Sequence, residues 1–427
     1  MDRCLSNEKY KYYCKVLEDE LVPAMGCTEP IAIAYAAAKA RAVLGSFPTE
    51  CLVTVSGNII KNAKSVVVPH TGSMRGIEAA AIAGIVAGNA DAELEVLSSV
   101  TDEDIRRMAD AKNTLPVTVS IADGDAEFDI AITLKCGEES SFVRIATKHT
   151  NVVCIKKNGH TLFEDKIEPV KEVKKAELSV KEIVEFANTL NIDDVRHVLE
   201  RQIKYNMAIA EAGINGNYGA NIGKVYLASY KDDISIKAKA YAAAGSDARM
   251  NGCELPVIIN SGSGNQGMTA SIPVIIYWEH LGLSEDMLYR ALALSNLLTL
   301  HIKHGIGTLS AYCGAIAAGA CAGAGIAYLY GGGFKEIAHT LVNALAIASG
   351  VICDGAKASC AAKIATAVEN GILGFNLYRL GNQFFSGDGI VEKGVENTIN
   401  NVCRLAKQGM RETDREILNI MMDIKCN

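Results

Sequence analysis

The sequence predicts an α+β protein: a mostly helical domain, discontinuous in the chain, with a smaller α/β domain inserted into it. Three observations carry this expectation. Apolar residues recur at helical spacing in the first forty-odd residues and again from about residue 179 to the C-terminus. Between them, short Val- and Ile-rich runs alternate as half-buried strands do. The first two helical segments also share the Ala-rich character of the later region, so they are expected to dock on it. The expected boundaries are 1–46 and 176–427 for the helical catalytic domain and 47–175 for the insertion. At 427 residues the chain exceeds what one hydrophobic core supports.

Taken in order, Tyr13, Val16, Leu17 and Leu21 mark a first helix. Pro23-Ala24-Met25-Gly26-Cys27-Thr28-Glu29-Pro30 then interrupts, and an Ala-rich helix resumes over 31–44. Pro30 suits a first helical turn, where its missing N–H is not needed, and Thr28 or Glu29 serves the positively polarised start. Cys27 therefore precedes a helix N-terminus, a setting that depresses a thiol pKa; a buried cap residue is the alternative. Strand patterns follow at 52–56, 65–68, 117–121, 128–132, 142–145 and 152–155, with His70-Thr71-Gly72-Ser73-Met74-Arg75 and an apolar helix over 77–87 among them. A charged linker is expected at 168–175. Ser179-Val180-Lys181-Glu182 matches a capping box and opens the helical region.

Within that region Asn260-Ser261-Gly262-Ser263-Gly264-Asn265-Gln266-Gly267 is a polar glycine loop. It follows no strand of a βαβ unit, which argues against dinucleotide binding. Bunched backbone N–H groups with Ser, Asn and Gln side chains suit a carboxylate such as that of an amino acid; a plain turn between helices is the other reading. His301 and His304 lie three apart on a helix without an acidic partner at metal-site spacing, so a structural or hydrogen-bonding role is expected of them.

From 305 to 334 there is no Asp, Glu, Lys or Arg. Such a run is buried, and its Gly and Ala content points to closely packed helices in protein rather than lipid. Cys313 and Cys321 fall inside it, and Cys353 and Cys360 follow. Thiols in such surroundings either fill the core as small hydrophobes or ligate a soft metal centre as thiolates. Spacing leaves both open.

Composition narrows the function classes. Net charge is −7 with dispersed Lys and Arg, which argues against nucleic acid as a partner. Thirteen scattered cysteines, without the close spacing of a disulfide framework, fit a reducing cytoplasm. The first residues are charged and carry no apolar signal-peptide run, so neither export nor a membrane partner is expected.

Five segments in one order, Gly26-Cys27-Thr28-Glu29-Pro30, His70 through Arg75, Ser261 through Gly267, Tyr312-Cys313-Gly314, and Cys353-Asp354-Gly355-Ala356-Lys357 with Cys360, resemble the signature segments of the L-cysteine desulfidase family. That family is related to the iron-sulfur L-serine dehydratases. The resemblance implies a 4Fe-4S cluster held by Cys313, Cys353 and Cys360, with one iron left open to act as a Lewis acid. It implies that the substrate thiolate binds that iron, that Cys27 removes the α-proton as base, and that sulfide departs. The aminoacrylate that remains then hydrolyses to pyruvate and ammonia. Ser261, Ser263, Asn265 and Gln266 are expected to bind the substrate carboxylate with His70 and Arg75 nearby, and Lys357 to contact substrate or the cluster's surroundings.

The seven-residue step from Cys353 to Cys360 favours the desulfidase over the dehydratase. Cys321 is expected to pack, and Cys426 is a further candidate ligand. The partner expected is L-cysteine, a small amino acid, and the assembly a homodimer. The rivals are L-serine dehydratase chemistry on the same scaffold, a non-catalytic iron-sulfur sensor, and pyridoxal-phosphate catalysis at Lys357.

Overall fold

A computed structural model describes residues 5–123, 126–165, 178–307 and 310–422. The linker expected at 168–175, the domain boundary beside it and Cys426 lie outside the described residues. Within them the chain is α+β: a mixed six-stranded sheet, a separate two-stranded sheet and a large helical assembly.

The first helix, Asn7–Glu20, is capped by the Ser6 hydroxyl and buries Tyr13 and Leu17. It packs on the helical half: the Tyr13 ring meets Phe186 edge-on at 5.4 Å, and Lys9 pairs with Glu182. Ser179 caps the helix Val180–Thr189 by accepting from the Glu182 N–H. The second helix, Thr28–Leu44, behaves differently. It lies across the six-stranded sheet and against the helix Gly76–Ala87, with the Ser141 hydroxyl donating to the Ala40 carbonyl at 2.8 Å. Being covered on all sides, it shows apolar residues all round rather than a stripe.

The sheet runs in the order Val117–Ile121, Glu50–Val55, Asp129–Cys136, Glu139–Ala146, Val152–Lys157, His160–Glu164. The first pair is parallel and the rest antiparallel. The run 65–68 forms only a single bridge, Val67 to Arg75, and the exposed edge strand His160–Glu164 carries no alternation that would announce it.

Helix packing in the other half depends on absent side chains. A Cβ on Gly319 would sit 2.3 Å from the Ala367 carbonyl oxygen, and one on Gly371 would sit 2.0 Å from that of Gly319. The helices Gly314–Leu329 and Cys360–Arg379 thus touch backbone to backbone, the close approach that small residues permit. Within the uncharged run, 311–329 is buried in protein apart from a half-buried Gly314, while Tyr330 and Phe334 are exposed, and among the described residues no helix is long and apolar enough to cross a membrane.

Candidate functional site

Four helices begin at one cavity. Cys27 is the N-cap of Thr28–Leu44, Ser263 of Gly264–Leu281 and Cys313 of Gly314–Leu329, while Cys360 is the first residue of Cys360–Arg379. Free N–H groups and aligned peptide dipoles make each helix start electropositive. The cavity holds about 100 Å³, and its wall includes Cys27, Cys313, Cys353 and Cys360.

Short backbone pairings bring these remote segments together. Pro23–Met25 pairs antiparallel with Pro256–Ile258, which sets Cys27 beside the glycine loop. The Thr28 hydroxyl then donates to the Gly262 carbonyl at 2.9 Å. Asn260, fully buried, donates to the backbone and side chain of Asn296 and anchors the start of the loop. A second pairing joins Tyr312 to Ile352: Cys313 N donates to Val351 O at 3.0 Å and Cys353 N to Ala311 O at 2.5 Å. Two cysteines forty residues apart in sequence thereby become neighbours.

No described cysteine is in a disulfide. Burial raises the Cys313 thiol to about 12, with the charges of Cys353 and Cys360 acting in the same direction; burial likewise raises that of Cys360. The three thiols are within electrostatic reach of one another, yet among the described residues no group of three potential ligands converges to hold a single ion. A multi-iron cluster takes one thiolate per iron, so its ligands need not converge on a single ion. The surroundings suit a negatively charged centre. Lys303, 4% exposed, donates to the Gly307 carbonyl; burial lowers its pKa, while Cys353 and Cys313 pull it back up. Lys363 is held by Asp354 and feels Cys313 and Cys360. The donor set and its cations therefore fit an iron-sulfur cluster at these thiols.

In the same wall Cys27 donates to Glu29 Oε2 at 3.0 Å. Glu29 also accepts from Asn62 Nδ2 at 3.1 Å, and its Oε2 lies 3.1 Å from the Thr28 hydroxyl oxygen. Burial opposes its ionisation, but His149, the Cys27 hydrogen bond and Arg249 more than offset this and hold the carboxyl below its ordinary value. Of the two sequence readings of Cys27, the buried cap residue is the one observed, and a depressed thiol pKa is not. Despite the helix start, burial and the Glu29 carboxylate raise the Cys27 pKa well above its usual value. His149 is kept towards its neutral form, chiefly by burial.

Of the other residues singled out in the sequence, Ser261, Ser263, Asn265 and Gln266 line the cavity, and His70, Arg75 and Lys357 do not. His70 faces Glu254 at 3.4 Å, and Arg75 is exposed and donates to the Ser65 carbonyl. Lys357 is tied to the side chain and carbonyl of Asp354, three residues back. Cys321 is packed in the core, and His301 pairs with Glu396 at 2.8 Å. Sequence reasoning missed Asn62, His149, Arg249, Lys303 and Lys363, and took Glu29 only as a helix-start residue. One signal was available for Arg249: Asp247 and Arg249 are charged residues in a helix of small residues, Ile234–Met250, which leaves little polar surface to receive them.

Comparison with known proteins gives the chain's family. Residues 91–419 match the model of the serine dehydratase alpha chain family. That span holds Cys313, Cys353 and Cys360; Cys27 precedes it. Whole-length relatives include a UPF0597 protein of Desulfitobacterium hafniense, 57% identical over 97% of both chains. A UPF0597 protein of Treponema denticola is 45% identical over 98% of this chain and 99% of its own, and one of Bacteroides fragilis is 36% identical over 99% and 100%. The chain therefore belongs to the serine dehydratase alpha chain family, a family of iron-sulfur-dependent dehydratases and lyases.

Proposed function

We propose that the protein is a 4Fe-4S-dependent lyase that eliminates sulfide from L-cysteine, yielding pyruvate and ammonia. The observation that carries this reading is the cavity itself, where three free thiols face a fourth, Cys27, that is hydrogen-bonded to a buried carboxylate. Cys313, Cys353 and Cys360 would hold the cluster, which supplies a Lewis acid for the departing group. Cys27 Sγ is the base for the α-proton. With its pKa raised, the thiol does not ionise by itself near neutrality; Glu29 Oε2, its hydrogen-bond acceptor with a pKa held low, takes the thiol proton only transiently, in concert with removal of the α-proton. The proton on Glu29 is then available to the leaving sulfide, so that elimination ends in the starting charge state. Lys303 and Lys363 balance the thiolates.

We further read 47–175 as an inserted unit, which contributes Lys61, Asn62 and His149 to the wall. The setting is a reducing cytoplasm and the assembly a homodimer.

Dehydration of L-serine is the second reading, favoured by the description of the matched family. Sulfide and pyruvate release from L-cysteine, set against pyruvate release from L-serine after anaerobic purification, separates the two. Iron and sulfide content of Cys313→Ala, Cys353→Ala and Cys360→Ala tests the ligands. Full cluster in all three variants, or no turnover of either amino acid by wild type, overturns the proposal.

A further inference from the structure

We infer that Arg249 is the cation that receives the carboxylate of the amino-acid substrate, and that the loop 261–267 is built to admit its guanidinium. This rests on the lyase reading above and moves the charge from Arg75, which is exposed and turned to Ser65, to a residue in the cavity wall. Arg249 is 2% exposed. Its Nη1 donates to Asn265 Oδ1 at 3.1 Å, its Nε has no partner, and among the described residues it forms no ion pair. The Glu29 carboxylate acts on Arg249 only through space and forms no contact ion pair with it, so a buried guanidinium donor is left unsatisfied, and an anion entering the cavity removes that penalty.

The other cations of the wall are already engaged. Lys61 pairs with Asp414, Lys363 with Asp354, and Lys303 is bound to the Gly307 carbonyl beside Cys313 and Cys353. Arg249 stands apart from them, at the end where Cys27 and Glu29 meet the loop.

The glycines of the loop gain a specific reason. A Cβ on Gly264 would lie 2.4 Å from Arg249 Nε, and one on Gly262 would lie 3.1 Å from the His149 ring. Side chains at these positions would expel the two groups from the wall. The guanidinium lies at the N-terminus of the helix Gly264–Leu281, which adds its dipole to the attraction for an anion. Three further buried atoms of the wall are without partners, Gln266 Oε1, His149 Nε2 and the Tyr312 hydroxyl. Gln266 Oε1 is an acceptor, as is a neutral His149 in the tautomer that leaves Nε2 bare. A positive donor beside two acceptors is the complement of a zwitterionic α-amino acid: Arg249 for the carboxylate, Gln266 and His149 for the ammonium.

The test measures binding to the anaerobically purified holoenzyme by calorimetry, with 3-mercaptopropionate and cysteamine as probes. Both carry the thiol, and they differ in bearing a carboxylate or an amine. Arg249→Gln is expected to weaken 3-mercaptopropionate by about 10–100-fold, as loss of a charge-assisted pair does, and to change cysteamine by less than about twofold. Arg249→Lys keeps the buried charge, and with it the fold, but loses the guanidinium fork; the same selective loss is expected at about tenfold. Unchanged carboxylate affinity in either variant, equal weakening of both probes, or a wild type that does not bind 3-mercaptopropionate overturns the inference. The readout needs no turnover. Failure of the lyase reading would appear separately, as absent pyruvate from wild type.

Discussion

The spacing between the helices Gly314–Leu329 and Cys360–Arg379 sets the distance between two of the proposed ligands, and Gly371→Ala tests it directly. The added Cβ would lie 2.0 Å from the Gly319 carbonyl oxygen, 2.9 Å from its carbon and 3.1 Å from Gly323 N. All three are backbone atoms, so no side chain can swing aside and the helices must part by about 1 Å. Overpacking of this kind costs about 1–3 kcal/mol, and the better helix propensity of Ala returns at most about 1 kcal/mol. The expected net loss is about 1–2 kcal/mol, read as a lower urea midpoint at unchanged slope. Gly371 lies eleven residues into the helix from Cys360, about 16 Å along its axis, so the displacement is carried as a rigid-body shift towards the cysteine end. Iron content after anaerobic reconstitution is expected to fall, and turnover with it by about 10–100-fold, since an ångström of misplacement has that effect. A variant with wild-type midpoint, iron content and rate would refute the idea that this contact positions the thiols.

Three further outcomes are expected. Glu29→Gln should move two observables in ways that seem opposed: removing the carboxylate lowers the pKa of Cys27, read from the pH dependence of its alkylation, while kcat falls about 10²-fold because the proton acceptor is lost; a raised thiol pKa would contradict this. Asp247, whose pKa burial raises to about 6, is protonated more readily folded than unfolded, so its contribution to stability declines as pH rises from about 4 to about 6. Asp247→Asn keeps an acceptor for the Gly223 N–H and should therefore stabilise by about 1–2 kcal/mol at pH 8 and hardly at all at pH 4, a difference that chemical denaturation at the two pH values measures. Lys303→Met should lower iron retention several-fold while changing the stability of the cluster-free protein by less than about 1 kcal/mol, because a buried ammonium of reduced pKa adds little without an anion; undiminished iron would remove Lys303 from the charge balance.

The α+β class was readable because helices and antiparallel strands leave periodic traces, and so was the packed Gly- and Ala-rich run around Cys313. What joins the site together was not. Pro23–Met25 and Pro256–Ile258 are three residues each, too short for alternation to register, and the bridge between Tyr312 and Ile352 is a single pair. Cysteines draw attention by their type, whereas His149 sits in an ordinary turn between strands and Arg249 near the end of an Ala-rich helix. For Cys27 a helix dipole is visible from sequence, whereas the burial that chiefly raises the thiol pKa and the carboxylate two residues away, turned back onto the sulfur, are not, so the sequence left a depressed pKa and a buried cap both open. Arg75 and Lys357 drew attention through the company they keep in the sequence, yet each is engaged with its own local backbone or neighbour.

The pairing of Pro23–Met25 with Pro256–Ile258 has a consequence for biosynthesis. The segment carrying Cys27 is made before its partner strand, which follows some 230 residues later, roughly 10–50 s at ordinary rates of chain elongation. Cys360 follows later still. The cavity therefore cannot close until the chain from Cys27 to Cys360 has been made, and a cluster at these thiols could be loaded only then.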